Sequence, residues 1–287
     1  MELKNRGLEP SYKVKCMLRL SAALAALVSA VLFSLAFFLH FEAETALFKS
    51  GSRLIYVAEM LALSFSVILI ILTFVLVPKK RGQEGIFPTE AEYKPYYNVE
   101  PIPLKISRYF VAVLIIIEGA VRTFLMIDGK LEVFMSPFFT ALMLLFTLPL
   151  ALFFLPEIIN KLTPGYERTH LICGTLGLFW FFLNVINIYF DNTVALASPY
   201  RIIQQLVFLF VMLMILYEIK AHTDVPFVRA RLATLLSAFV LTSGFTVGRV
   251  VMLLCGKAVS ADDTAIVITF VGISVYMGMR LFYYDED

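Results

Sequence analysis

Eight stretches of almost unbroken apolar residues run along this chain, at 17–40, 54–77, 109–127, 133–155, 171–190, 202–219, 232–254 and 264–283. Each approaches or exceeds the ~20 residues that a helix needs to cross the hydrocarbon of a bilayer. Backbone polar groups in hydrocarbon must be bonded within the protein, which a single apolar run achieves only as a helix. The pattern predicts an all-α polytopic transmembrane helix bundle of about eight spans. Polar text divides it into a tail (1–16), spans 1–2 (17–77), a loop (78–108), spans 3–8 (109–283) and a short C-terminal tail (284–287).

Charge orients the bundle. With the N-terminus inside, seventeen of the 24 Lys and Arg fall on the cytoplasmic side and five, Lys49, Arg53, Lys130, Arg201 and Lys257, on the other. Arg122 and Arg249 lie within spans. Positive residues collect on the cytoplasmic side, so both termini are expected there. The bias holds loop by loop, and a missed span would reverse it. The first span has a rival reading as a signal peptide, with Lys13, Lys15 and Arg19 as its basic region and Val28-Ser29-Ala30 as a cleavage site. The apolar run continues to Leu39, longer than a signal core, so a retained span is expected.

Composition agrees. Hydrophobic residues are 60% of the chain and charged residues 16%, against about 45–50% and about 25% in soluble domains. Such a chain lacks the polar surface to cover itself in water. A net charge of +2, with no basic, aromatic-interleaved face, gives no footprint for nucleic acid. Cys16, Cys173 and Cys255 are far apart and read as small thiols rather than a redox pair. The setting that fits is a cell membrane, with the bilayer as first partner. The lack of disulfide-capable pairs and large outer loops suits a bacterial inner membrane.

The chemistry lies in a few polar residues inside the spans. A charge at the centre of a bilayer costs about 3 kcal/mol even on insertion scales. Glu59, Glu118, Arg122 and Arg249 nevertheless sit within apolar runs, each about 8–14 Å from the outer end at 1.5 Å per residue. Asn184, Asn187 and Gln205 fall in the same half, whereas the inner half offers mainly Ser and Thr. Glu118 and Arg122 are spaced i, i+4 on one helix face, in the favourable order for pairing. Glu59 can pair with Arg249 between helices. One reading makes these residues struts that fix helix register. The other makes them an outward-facing, partly hydrated pocket, favoured because they gather in one leaflet. Arg122 and Arg249 would then hold a small anionic ligand through their planar donor forks. Glu59 or Glu118 would bind a cation or carry a proton.

Secondary features modify this picture. Gly244 and Gly248 form a GxxxG in span 7 that permits close helix contact, and Ala22, Ala26 and Ala30 in span 1 have matching spacing. Pro149 predicts a bend in span 4. Trp180, in mid-span, requires a partner for its N–H. Glu118 through Met126 resembles Phe245 through Met252, and an offset of 127 residues from Arg122 to Arg249 also carries span 4 onto span 8. That would be a parallel 4+4 repeat, one known transporter architecture.

No HExxH, GxSxG or Gly-rich phosphate loop is present. His40, His170 and His222 stand at span ends on different sides, so no metal or other cofactor is expected. The leading expectation is binding or transport of a small polar or charged molecule. A second is a non-transporting receptor or assembly subunit, meeting a membrane or cytoplasmic protein partner through the Tyr- and Pro-rich 78–108 loop. A third is a membrane enzyme acting on a lipid through Asp262 and Asp263, although a helix start already explains that pair.

Overall fold

The computed structural model describes residues 10–42, 47–49, 52–77, 101–129, 137–162, 169–190, 198–221, 228–257 and 261–283. Most of the 78–108 loop, the first nine residues and the last four lie outside the described residues. The elements are α1 (Pro10–His40), β1 (Phe41–Glu42), β2 (Leu47–Phe48), α2 (Leu54–Leu76), α3 (Ile102–Ile127), α4 (Pro137–Phe153), α5 (Pro156–Leu162), α6 (Thr169–Phe190), α7 (Pro199–Ala221), α8 (Val228–Leu254) and α9 (Ala261–Phe282). Seven helices, α1, α2, α3, α6, α7, α8 and α9, are long and apolar enough to cross a membrane. The chain is a multi-pass, all-α membrane protein.

The fourth expected span divides. α4 has 17 residues, about 26 Å of helix. It runs through Pro149 and ends four residues later. Phe154 N–H then bonds Ala151 O at 3.1 Å and Leu155 N–H bonds Leu152 O at 2.8 Å, a tightened last turn. Pro156 has no N–H with which to continue and occupies the first position of α5, where its ring is accommodated. Two other boundaries differ from the sequence expectation. α1 begins at Pro10, within the expected tail, and α3 begins at Ile102, within the expected loop. Pro101 and Pro103 at the start of α3 have the fixed φ that a first helical turn accepts.

Side-chain contacts give the helix directions. Gly244 abuts Ser29 and Gly248 abuts Phe33, so α1 and α8 run parallel. Gly177 meets Leu150 and Gly174 meets Phe153, so α4 and α6 run antiparallel. Six helices close a ring in the order α3, α4, α6, α7, α8, α9, each packed on the next and α9 on α3. Trp180 of α6 packs on Phe208 of α7, and Phe208 on Phe270 of α9, at centroid distances of 5.8 and 4.7 Å. α1 and α2 pack against α8 and against each other. α8 therefore touches α1, α2, α7 and α9, and its most apolar window is 72% buried, against 28% for the peripheral α2.

The GxxxG is used as small residues are in membranes, where dispersion between closely approaching backbones replaces a hydrophobic drive. A Cβ at Gly244 would sit 2.7 Å from Ser29 Cβ, and one at Gly248 would sit 2.8 Å from Phe33 Cβ. The resemblance between α3 and α8 does not extend to their surroundings. α3 packs chiefly on α4 and α9, whereas α8 has four major neighbours. The helices therefore do not follow a 4+4 arrangement of equivalent halves.

Candidate functional site

α3 buries one stripe, Leu104, Ser107, Arg108, Val111, Ala112, Ile115, Glu118, Gly119, Arg122 and Leu125. The three- and four-residue steps that give α3 an apolar inner face thus also point Glu118 and Arg122 inward. Both are 0% exposed, and Arg122 Nε lies 2.6 Å from Glu118 Oε1. Arg122 donates through a second nitrogen to Asn184 Oδ1 at 2.9 Å, and a third lies 3.5 Å from Met143 Sδ. Asn184 donates in turn to the carbonyl of Trp180 at 2.8 Å. The indole of Trp180 lies 6.0 Å from the guanidinium carbon. α4 comes this near because Gly119 has no side chain: a Cβ there would meet Thr147 Cγ2 at 2.9 Å. One guanidinium thus ties together α3, α4 and α6 through buried side chains, where charge-assisted bonds are strong.

Trp180 departs from expectation. It is fully buried, yet its Nε1–H has no hydrogen-bond partner among the described residues. Ring packing and the nearby cation occupy it instead, with Phe181 at 4.9 Å.

Arg249 has a different setting. It is 1% exposed, with its guanidinium carbon 4.8 Å from the Tyr200 ring and 5.8 Å from the Phe245 ring. These rings belong to a larger aromatic group with Phe33 and Phe37 of α1 and with Phe41 and Phe48 of the β1–β2 hairpin. A guanidinium stacked on aromatic faces is held by their quadrupoles. The expected Glu59–Arg249 pair is not formed. Glu59 lies on the buried stripe of α2 that includes Ile55, Ala58, Ala62 and Ser66, and its Oε1 has no hydrogen-bond partner among the described residues. The reason is geometric: α2 meets α8 on the face of Ser237, since Ser237 Oγ donates to Ser66 O at 3.1 Å, whereas Arg249 faces α7. Asn187 and Gln205 are half-buried and bond to neither arginine. The seven candidates therefore separate into Glu118, Arg122 and Asn184 together, Arg249 in its aromatic setting, Glu59 apart, and Asn187 and Gln205 outside these contacts.

The opposite half is not merely Ser and Thr. Glu218 of α7 receives a two-pronged contact from Arg231 of α8, at 2.7 and 3.2 Å, and lies 3.5 Å from Arg280 of α9. Nearby in the same half, Arg108 of α3 bonds Glu157 of α5 at 2.8 Å, with Lys105 at 3.4 Å. Arg108, Glu218, Arg231 and Arg280 are all buried. Sequence reading places Arg108 and Arg231 in loops and Arg280 at the cytoplasmic end of the eighth expected span, and so does not join them. The available signal is that Glu218, Arg231 and Arg280 fall at the same depth in the end turns of three spans. Buried ionic groups therefore occupy both halves, and their gathering in one leaflet no longer argues for a pocket.

Among the described residues no His, Cys, Asp and Glu converge in a metal-binding group. Asp262 and Asp263 fall in the first turn of α9, with side chains outside the described residues. No known protein family, curated protein or solved structure matches the chain.

Proposed function

We propose that this protein binds and moves a small polar or charged molecule through a pocket lined by Glu118, Arg122 and Asn184, opening to the non-cytoplasmic side of an eight-span bundle with both termini cytoplasmic. The observation that carries this reading is the division of buried charge between the two ends of one helix ring. The Arg122 cluster ties α3, α4 and α6 in one half. Separate ionic contacts fasten α7, α8 and α9, and α3 to α5, in the other. From Tyr200, beside Arg249, to Glu218 is 18 residues of α7, about 27 Å and close to the ~30 Å of a hydrocarbon core. A substrate anion would take Glu118's place on Arg122, since a guanidinium fork accepts a carboxylate or phosphate on two nitrogens. The Glu218 contacts would part when the cytoplasmic end opens. Such pairs suit a gate because each is broken by motion of one helix against another.

Cysteine accessibility tests this. In a variant lacking Cys16, Cys173 and Cys255, single cysteines at Asn187 and Gln205 are treated in intact cells with a membrane-impermeant thiol reagent. Labelling at both is expected. Glu218→Gln should reduce it by shifting the population toward the inward-open form. Absence of labelling in correctly inserted protein would refute the pocket, and the receptor or assembly role would replace it.

A further inference from the structure

Hydroxyls inside this bundle mostly bond to the carbonyl one turn back on their own helix. Ser66, Thr73, Thr123, Thr147, Thr175, Thr234 and Ser243 all do so. Ser29, 0% exposed on α1, does not: like the buried hydroxyls of Ser198, Thr242 and Thr269, its Oγ has no hydrogen-bond partner among the described residues. Nor does Oε1 of Glu59, on a side chain 8% exposed. Helix register brings these two residues to one level. α1 and α2 pack together and are joined by the β1–β2 hairpin, so they run antiparallel. Since α1 is parallel to α8, α2 is antiparallel to α8. Ser237 of α8 bonds the carbonyl of Ser66. Seven residues on from Ser237 is Gly244 and seven back from Ser66 is Glu59, about 10 Å along either helix. Glu59 thus stands at the level of Gly244, and Gly244 directly abuts Ser29.

Ala25, Ala26, Ala58 and Ala62 of α1 and α2 are buried, and Phe33 also lies against Gly244. The neighbouring cations face elsewhere or lie at the helix ends. Arg249 is five residues further along α8 and stacked on Tyr200 and Phe245, and Lys257 is bonded to the carbonyls of Phe38 and Phe41. Arg19, His40 and Arg53 lie near the ends of α1 and α2, and no charged residue occurs between Arg231 and Arg249 on α8. A strut needs a counterpart to hold. Glu59, seven residues from Ser66, keeps the face of α2 that meets α8 and so points toward the level where Gly244 abuts Ser29. A buried carboxylate without a counterpart, near an uncommitted hydroxyl, has instead the features of an ion site.

We propose that Glu59 and Ser29 form a site for one exchangeable monovalent cation, a proton or a sodium ion, at the α1–α2–α8 junction and separate from the Arg122 cluster. Both sources share one chemistry, neutralisation of a single carboxylate with a hydroxyl oxygen completing the shell. The site rests on its own geometry and does not depend on the Arg122 pocket. If both hold, it provides a coupling ion.

The test uses dicyclohexylcarbodiimide on the full-length protein in nanodiscs, with the modified peptide identified by mass spectrometry. This apolar reagent reaches carboxyls from the lipid and adds to the protonated form. Modification of Glu59 is expected, increasing as pH is lowered and absent in Glu59→Gln. Suppression by sodium chloride but not by choline chloride assigns sodium, while dependence on pH alone assigns the proton. Ser29→Ala should shift the half-point of that titration about fivefold, the worth of one hydrogen bond of ~1 kcal/mol. Absence of modification, or modification indifferent to both pH and sodium, would overturn the site. Thiol labelling at 187 and 205 reads the Arg122 pocket independently, so either reading can fail alone.

Discussion

Removing one member of the Glu118–Arg122 pair should destabilise the bundle more than removing both. At 2.6 Å and full burial, an effective dielectric of about 20 gives an attraction of about 6 kcal/mol. Desolvation of the two ions consumes much of that. Arg122→Leu leaves Glu118 as a buried charge without its neighbour and deprives Asn184 Oδ1 of its donor. A loss of about 3–5 kcal/mol is expected, as for other buried pairs broken on one side. The double replacement Glu118→Leu, Arg122→Leu removes both desolvation costs and should recover most of the loss. The chain has one tryptophan, and Trp180 stands 6.0 Å from Arg122, so its fluorescence reports unfolding at this cluster. Unfolding is followed in mixed micelles by titration with sodium dodecyl sulfate, with circular dichroism as a second probe. A double variant as unstable as Arg122→Leu would refute the electrostatic reasoning. Thiol labelling of the recovered double variant then separates pocket from strut, because a pocket still admits the reagent once its charges are gone.

Other outcomes follow from the same contacts. Gly244→Ala should cost about 1–3 kcal/mol by overpacking, since its Cβ would lie 2.7 Å from Ser29 Cβ; Ser29→Gly should relieve much of this in the same unfolding titration. Arg231→Met should shorten the thermal half-life in detergent more than Arg280→Met, because Arg231 makes the two-pronged contact with Glu218 and Arg280 lies at 3.5 Å. Lys257 Nζ donates to Phe38 O at 2.7 Å and to Phe41 O at 3.2 Å. Lys257→Met should therefore loosen the end of α1 by about 1 kcal/mol, measured as faster proteolysis near the hairpin with the rest of the bundle unchanged.

The helices were legible because a membrane span is a local property. Twenty apolar residues announce one whatever surrounds them, and among the described residues seven of the eight predicted spans are helices of sufficient length. The exception, α4, is described over Pro137–Phe153 and gives way to a second short helix that Pro156 begins. The Glu118–Arg122 pair was equally legible, since a four-residue spacing on one helix fixes proximity without knowledge of any neighbour. Asn184 as the third member was foreseen only as a residue of the right depth. Glu59 and Arg249 have the right depth too, and depth misled there: two residues at one level on different helices meet only if their faces do.

The amino-acid sequence by itself determined that this chain enters a membrane, which segments are helical and which charges interrupt the apolar runs. Those follow from hydropathy and the 1.5 Å rise, which act residue by residue. Only the tertiary structure decided who meets whom. It turned Arg249 toward Tyr200 rather than Glu59, drew Arg231 from an expected loop and Arg280 from the end of an expected span onto Glu218, and set Gly244 against Ser29. Helix rotation and neighbour order are set by small-residue contacts such as Gly244 on Ser29 and Gly119 on Thr147. Such contacts depend on two surfaces at once, and no single segment of the sequence encodes them.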